Sequence, residues 1–434
     1  MRKILQSGVR SLPGLVCMLV LLAAAPLLCA QKRGAPASPY ASIGANGVHY
    51  AGPGREAAFD LKGSTIRIGI LAPTHGPQKA DGEAIITAAK MAIEDASRKP
   101  LPGGRHLALA IADESVPPWG ILGDEIIHLV MQDKVVAIVT GADGVAAHLS
   151  EQIGNKIGVA TLTLSGDDTA TEINLPWIFR MGPSDAQQAE AMARNIYQVH
   201  GYRSALLVSE KDHDGKMASE EYVKEVNKLG APVPASVAID PLKPDADSLL
   251  AMIKTKSPEA IVLWTLPETA KELIHAIRAA GFNGPIYVSQ KSAQTGSGLR
   301  FASLNTGATK GFSGTELYAV DARQAESPLR ASFARRYKLA TGRLPSPAAA
   351  QAYDAVRLVA QAVREAGANR ARVRDEISTA RNLAGVSGAI TFDSQGNNRA
   401  EVSLVRIQDE QFSRHAGGNA SRRTGRPELI SRSK

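Results

Sequence analysis

The strongest constraint on this chain is an alternation of two hydrophobic periods. Short apolar runs at 66–71, 106–111, 135–139 and 159–164 alternate with stretches whose apolar residues recur at helical spacing. Short apolar runs bounded by turn residues suit strands buried on both faces, and the period of about 3.6 suits the helices that cover them. Such alternation requires parallel pairing and right-handed crossovers, with helices on both faces of the sheet. The first unit, 66–96, shows the pattern. Its strand leads into a turn marked by Pro73, Gly76, Pro77 and Gly82, then a helix on which Ile85, Ala88, Ala89, Ala92 and Ile93 share a face. Asp81 takes the N-cap position of that helix and Glu83 its first turn. Open α/β sheets hold ligands in the loops that follow such strands.

The first series continues with a helix at 118–131, with Ile121, Ile126, Leu129 and Val130 facing inward, and a short helix at 144–153. The stretch PWIFRMGP at 176–183 breaks the alternation and reads as a crossing between domains. A second series follows. Its helices fall at 185–199, capped by Ser184, and at 216–229, 248–256 and 268–280; its strands fall at 204–208, 236–239, 260–264 and 285–288. GFSGT at 311–315 is a second crossing, followed by helices at 328–340, 348–366 and 370–380 and strands at 389–392 and 402–407. These late helices are too many to complete the second series alone. The chain therefore returns to the first domain and crosses again near 386–388. The fold class is α/β: two doubly wound parallel-sheet lobes joined by three hinge crossings, lobe 1 being 64–181 plus 315–386 and lobe 2 being 182–314 plus 387–412. A chain of 434 residues holds two such domains.

The two ends read differently. Arg2, Lys3 and Arg10 precede an apolar core at 15–28, and Ala30 before Gln31 offers a cleavage point, so 1–30 reads as a signal peptide. Its apolar run is short for a membrane span. Both cysteines, Cys17 and Cys29, lie inside it. Lipid attachment at Cys29 stays open, although Leu28 fits poorly the small residue such sites prefer. A cut after Ala30 leaves a mature protein with no disulfide, thiol nucleophile or thiolate metal site. Residues 31–63, rich in Gly, Ala, Pro and Ser, read as a flexible leader in which His49, Tyr50 and Phe59 are the available anchors. Residues 413–434 read as a disordered basic tail. The formal charge of +8 gathers partly at these ends; the middle has no Lys/Arg block interleaved with aromatics, which argues against a nucleic-acid partner.

The body resembles the type I periplasmic solute-binding proteins, specifically the branched-chain amino acid and amide-binding (Leu/Ile/Val-binding-like) group of ABC transporter receptors. The resemblance rests on IGILAPTHGPQKADGEAIITAAKMAIEDA, PWIFRMGPSDAQQAEAMARNI, SPEAIVLWTLPETAKELIHAIRAAG, QAYDAVRLVAQAVREAG and GVSGAITFDSQGNNRAEVSLVRI, in that order. It implies a periplasmic or otherwise exported receptor whose lobes close on a small-molecule solute taken up by an ABC permease of the inner membrane. A ligand sensor or accessory binding protein serving a non-transport partner is the alternative.

The resemblance also implies the ligand positions. After the first strand they are His75 and Asp81, and after the third Asp143 and Gly144. In the loop TLSGDDT they are Ser165, Gly166 and Asp167. In the second lobe they are Asp214, Trp264, Thr265 and Gln290. Several depart from the group's pattern. GADGV lacks a hydroxyl, Asp167 and Asp168 would repel a carboxylate, and Gln290 stands near the place of the acidic residue that holds an α-amino group. These departures argue against a standard branched-chain amino acid. Asp81, Asp143, Asp167, Asp168, Asp212 and Asp214 instead suggest an acidic cleft, against the ordinary use of loop aspartates as helix caps. No phosphate loop, nucleophile elbow or paired-His motif is present, so the sequence predicts no enzyme, no cofactor and no resident metal. His148, His200 and His275 fall on helices and read as packing or surface residues, and Trp119 and Trp177 as packing residues.

Overall fold

The computed structural model describes residues 43–44, 47–48, 50, 52–172, 176–243, 245–294, 317–321, 327–408 and 411–415. In the first lobe, strands β1 (Thr65–Ala72), β2 (His106–Asp113), β3 (Ala137–Thr140), β4 (Ala160–Thr163) and β5 (Ile178–Arg180) form a parallel sheet in the order β2-β1-β3-β4-β5. The connecting helices are α1 (Lys79–Ser97), α2 (Gly123–Met131), α3 (Gly144–Ile157) and the short α4 (Thr169–Glu172). After Gly182 the chain enters α5 (Asp185–Ala193), whose start is fixed by a reciprocal capping box between Ser184 and Gln187.

The second lobe repeats the plan. Strands β6 (Ala205–Glu210), β7 (Ala235–Ile239), β8 (Ala260–Trp264), β9 (Ile286–Val288) and β10 (Leu317–Asp321) are parallel in the order β7-β6-β8-β9-β10. Helices α6 (His213–Lys228), α7 (Ala246–Lys256) and α8 (Pro267–Ala279) connect them. The chain then gives α9 (Pro328–Thr341), α10 (Pro347–Ala366) and α11 (Arg370–Ser378) to the first lobe, where Phe333, Tyr353, Val356 and Val373 join Ile68, Ile70 and Ile85 in one core. Finally β11 (Ser403–Gln408) pairs antiparallel with β10, and β12 (Gln411–His415) pairs antiparallel with β11, extending the second sheet. Each sheet reverses its winding between two neighbours, β1 and β3 in one and β6 and β8 in the other, and the loops at those carboxyl ends are where such sheets leave a crevice.

Several expectations need correction. The leader touches the first lobe at Tyr50, Arg55 and Leu61, whereas Phe59 is 59% exposed. Tyr50 meets Trp177 edge-on at 4.8 Å, Arg55 pairs with Asp375, and the Leu61 amide donates to Ala368. The tail begins as strand β12 through His415, because its backbone pairs with β11; residues 416–434, the signal peptide and 311–315 lie outside the described residues, but the crossing expected at 311–315 comes after residue 321, because β10 still pairs within the second sheet. The helix expected at 118–131 starts properly only at Gly123. Gly120 at φ +94° kinks the turn before it, leaving Trp119 82% exposed and Ile121 51% exposed.

The last crossing comes later than 386–388. That stretch is a turn between Leu383–Ala384 and Ala389–Ile390, held by Asp354, which accepts from the Val386 and Ser387 amides. Phe392 then packs on Phe179 at 5.2 Å, the Arg180 amide donates to Gly396, and Asn398 Nδ2 donates to Met181. The chain leaves lobe 1 only after Asn398. Because Phe392 is buried in the lobe 1 core, Phe392→Ala should cost about 3–5 kcal/mol in denaturant unfolding. A loss below about 1 kcal/mol would mean that this segment is not part of that core.

Candidate functional site

The first wall of the crevice is a loop pinned from within. Thr140 Oγ1 donates to Thr163 Oγ1 (3.0 Å), which accepts from the Ser165 amide (3.0 Å); Ser165 Oγ accepts from the Asp167 amide (3.2 Å). Asp167 Oδ1 in turn accepts from the amide and the hydroxyl of Thr169, at 3.0 and 2.7 Å. The fully buried Arg180 adds donors to the Ser165 carbonyl (2.9 Å) and Thr171 Oγ1 (2.7 Å). This relay holds residues 163–169 rigid with the Asp167 carboxylate presented to the other lobe.

The second wall is set by caps and by one turn. Asp212 accepts from the Gly215 amide (2.7 Å), so α6 starts at His213 and places His213 and Asp214 in its first turn. Glu210, at the end of β6, accepts from the Leu266 amide (2.8 Å). Ser292 Oγ donates to the Thr265 carbonyl (2.9 Å), fixing the turn that carries Gln290 and Lys291.

The walls touch directly. His213 Nε2 lies 2.7 Å from Asp167 Oδ2, the Gly144 amide donates to Asp214 Oδ1 (3.1 Å), and the Asp185 amide donates to the Gly166 carbonyl (2.8 Å). Gln351 Nε2 reaches Gln290 Oε1 across the gap at 2.7 Å. The glycines permit this approach. A Cβ on Gly144 would come within 2.4 Å of Asp214 Oδ1, and one on Gly166 within 2.3 Å of Asp185 Oδ1. Between the walls lies a narrow crevice of about 20 Å³, room for little more than one water molecule with the lobes this close.

Its chemistry is acidic with one embedded cation. Lys291 Nζ sits 2.6 Å from Asp214 Oδ2. Burial alone would lower the lysine, but the carboxylates of Asp214, Asp212, Asp143 and Glu210 override it and hold it charged. Burial pushes the Asp185 carboxyl well up, and its neighbours Asp168 and Asp214 add to this. Burial also raises Asp167, yet hydrogen bonds from His148, Thr169 and His213 outweigh it and hold that carboxyl far below the usual range. His148 is raised to about 9 by the neighbouring carboxylates of Asp167 and Glu151, against the effect of burial.

The anticipated residues divide in three. Ser165, Gly166, Asp167, Asp214, Trp264 and Gln290 line the crevice. Asp143, Gly144 and Thr265 stand just behind: Asp143 caps α3 through the Ala146 amide (2.8 Å), and Thr265 is fully buried. His75 and Asp81 do not line it. His75, 62% exposed, pairs with Asp113 at 2.6 Å, and Asp81 is buried in the first turn of α1 rather than capping it, because the helix begins at Lys79 after Gln78. Sequence reasoning missed Asp185, Gln188 and Gln294, which line the crevice, and it placed the cleft at 289–292 without singling out Lys291, which lines it too. Lys291 adjoins Gln290 in VSQKS, and Asp185 and Gln188 sit at the crossing that was read as a helix start. His148, read as a packing or surface residue, instead reaches Asp167 Oδ2 at 3.3 Å.

A family profile described as "Periplasmic binding protein" matches residues 65–411. The chain belongs to that family. A Leu/Ile/Val-binding protein of Rhizobium johnstonii is 23% identical over 342 residues, covering 78% of this chain and 90% of the relative. A Leu/Ile/Val-binding protein homolog of Brucella melitensis is 28% identical over 204 residues, an alignment that covers 45% of this chain and only 53% of that protein. Among solved structures, a leucine binding protein of Thermotoga maritima superposes with a TM-score of 0.70 at 20% identity, covering 81% of this chain and 98% of that one. A solute binding protein of an ABC transporter from R. palustris, in complex with benzoate, gives a TM-score of 0.69 at 19% identity, covering 81% and 95%. At these identities the structural likeness is one of fold. This periplasmic binding protein thus has the two-lobed architecture of a Leu/Ile/Val-binding-like receptor, and that fold is a solute-binding one rather than an enzyme's.

The buried Glu210 gives the site a pH signature. Burial raises it to about 7 from 4.5, with Lys291 pulling the other way. The folded protein therefore holds this proton more tightly than the unfolded chain does. The stability Glu210 contributes is present in full below about 4.5 and is lost as pH rises through about 7. Glu210→Gln keeps an acceptor for the Leu266 amide, so its melting temperature relative to wild type should rise steadily across that window. The limiting effect is on the order of 3 kcal/mol. A difference that does not change with pH would show that Glu210 titrates as an ordinary carboxylate.

Proposed function

We propose that this protein is an exported receptor of an ABC importer that closes its lobes over a small polar solute carrying a cationic group, not over a standard branched-chain amino acid. The observation that carries the reading is the charge of the crevice: Asp167, Asp185 and Asp214 line it, and its lysine is already in an ion pair with Asp214. An α-amino acid needs free donors for its carboxylate as well as an acidic partner for its ammonium. Here the Gly144 amide is engaged by Asp214 and the Ser165 amide by Thr163. Gln290 is tied to Gln351 and, through its own amide, to Gln188 at 2.8 Å. Trp264, at the end of β8, supplies an apolar wall beside these acids. The family's architecture supports delivery to a permease of the inner membrane, with the interlobe crossings absorbing the hinge motion.

A thermal-shift and calorimetry panel tests this. It should hold polyamines, quaternary and hydroxylated amines, leucine, benzoate and polyols. A ligand at a hundredfold its dissociation constant adds about 2.7 kcal/mol of stability. Cationic solutes should stabilise the protein, and the Asp167→Asn/Asp214→Asn double variant should lose at least tenfold in affinity for them. Stabilisation by leucine or benzoate alone, or an affinity indifferent to the double variant, would overturn the reading.

A further inference from the structure

At the rim of the crevice two imidazoles and a carboxylate converge from both lobes, and we propose that His148, His213 and Asp167 bind a divalent transition metal of the zinc type that ties the lobes together. One ligand atom from each of the three lies within 4.8 Å of the other two. Asp167 Oδ2 is 2.7 Å from His213 Nε2 and 3.3 Å from His148 Nε2, close to the ligand–ligand edge of about 3.3 Å that metal bonds of about 2.0–2.1 Å require in a tetrahedron. The rings of His148 and His213 stand nearly perpendicular, at 86°, with centroids 5.7 Å apart. Thr169 donates to Asp167 Oδ1, which fixes the carboxylate and leaves Oδ2 directed at both imidazoles. Thr169 Oγ1 also lies 2.8 Å from His148 Nε2, the contact a metal would replace.

A second observation points to the same ligand. Glu151 is fully buried, one turn along α3 from His148, and neither of its carboxylate oxygens has a hydrogen-bond partner. Its Oε2 lies 3.6 Å from His148 Nδ1. A carboxylate behind the second nitrogen of a ligating histidine is the usual support of such sites, because it fixes the tautomer and aims the other nitrogen at the metal. Two imidazoles select zinc, copper or nickel over magnesium and calcium, and the carboxylates of Asp167 and Glu151 balance a divalent charge. Three protein ligands leave a position for water or a solute atom, and Asp167 itself borders the crevice. Because His213 belongs to one lobe and His148 and Asp167 to the other, the complete ligand set exists only when the lobes are closed.

The test uses the untagged mature protein stripped with chelator. Zinc is titrated by calorimetry, cobalt(II) by its visible absorption, and the radius of gyration is measured by X-ray scattering with and without zinc, no solute being present. One equivalent of metal per chain, tetrahedral cobalt bands and a smaller radius with metal are expected. His148→Ala and His213→Ala should each weaken binding at least a hundredfold, and Glu151→Gln, which acts by positioning, about ten- to a hundredfold. His213→Ala truncates a partly exposed side chain and serves as the variant that keeps the fold. No stoichiometric binding, or binding unchanged in both histidine variants, would overturn the site. Binding without compaction would overturn its role in closure. Neither result depends on which solute the crevice takes.

Discussion

One carboxylate ties the core of the first wall to the second wall of the crevice. Asp167 takes hydrogen bonds from Thr169 beneath it, from His148 beside it and from His213 across the gap. Its position is dictated by the relay that begins at Thr140 and Thr163, two hydroxyls at the carboxyl ends of adjacent strands. A buried carboxylate is costly unless nearly all its lone pairs are used, and here they are. The sheet, the loop and the contact across the crevice therefore form one continuous polar structure. Moving any part of the loop would leave an acceptor buried without a donor.

Closeness between the lobes depends on what is absent as much as on what is present. Gly144 and Gly166 lie where Asp214 and Asp185 come nearest, and any side chain there would hold the walls apart. The same close approach places carboxylates from both walls in a medium that screens them poorly. Lys291 relieves this by standing among four acidic residues that keep it charged. Glu114 shows what remains unrelieved: it accepts from the Gly141 amide at 3.0 Å, its other oxygen has no hydrogen-bond partner, and burial together with Asp143 raises its pKa well above the ordinary range.

Much of this fold was legible in the sequence because periodicity is a local property. The strand at 260–264 and the helices at 328–340 and 348–366 lie within a residue or so of where their apolar spacing puts them. The return of the late helices to the first lobe followed from their number. Other features were hidden because they are decided at a distance. Trp119 looked like a core residue until Gly120 turned the chain away from the core. The stretch 386–388 looked like a crossing, but Phe392 and Asn398 keep that segment on lobe 1. Within the site, six of the eleven anticipated residues line the crevice, because the loops after parallel strands lead to it. His148 and His213 could not be paired from spacing, since each is a lone histidine on its own helix. Lys291 was overlooked beside Gln290 because an expected acidic partner drew attention to the wrong member of VSQKS.

The closed arrangement has a further consequence for selectivity. With the lobes together, Lys291 already supplies positive charge to Asp214, and His213 already meets Asp167 at hydrogen-bond distance. A solute that enters must either take over one of these partnerships or meet the remaining carboxylate, Asp185, whose oxygen Oδ1 accepts from Gln188 at only 3.2 Å. An anionic solute could pair with Lys291 only by leaving Asp214 buried and uncompensated, at a cost of several kcal/mol. A cationic solute faces no such penalty at Asp185, since its charge would favour the ionised carboxylate that burial and the neighbouring aspartates disfavour. A neutral apolar side chain would gain the wall of Trp264 but leave the acids on the far side desolvated. For the solute proposed above, discrimination at this crevice would come less from contacts made with the right solute than from the buried charges a wrong one would strand.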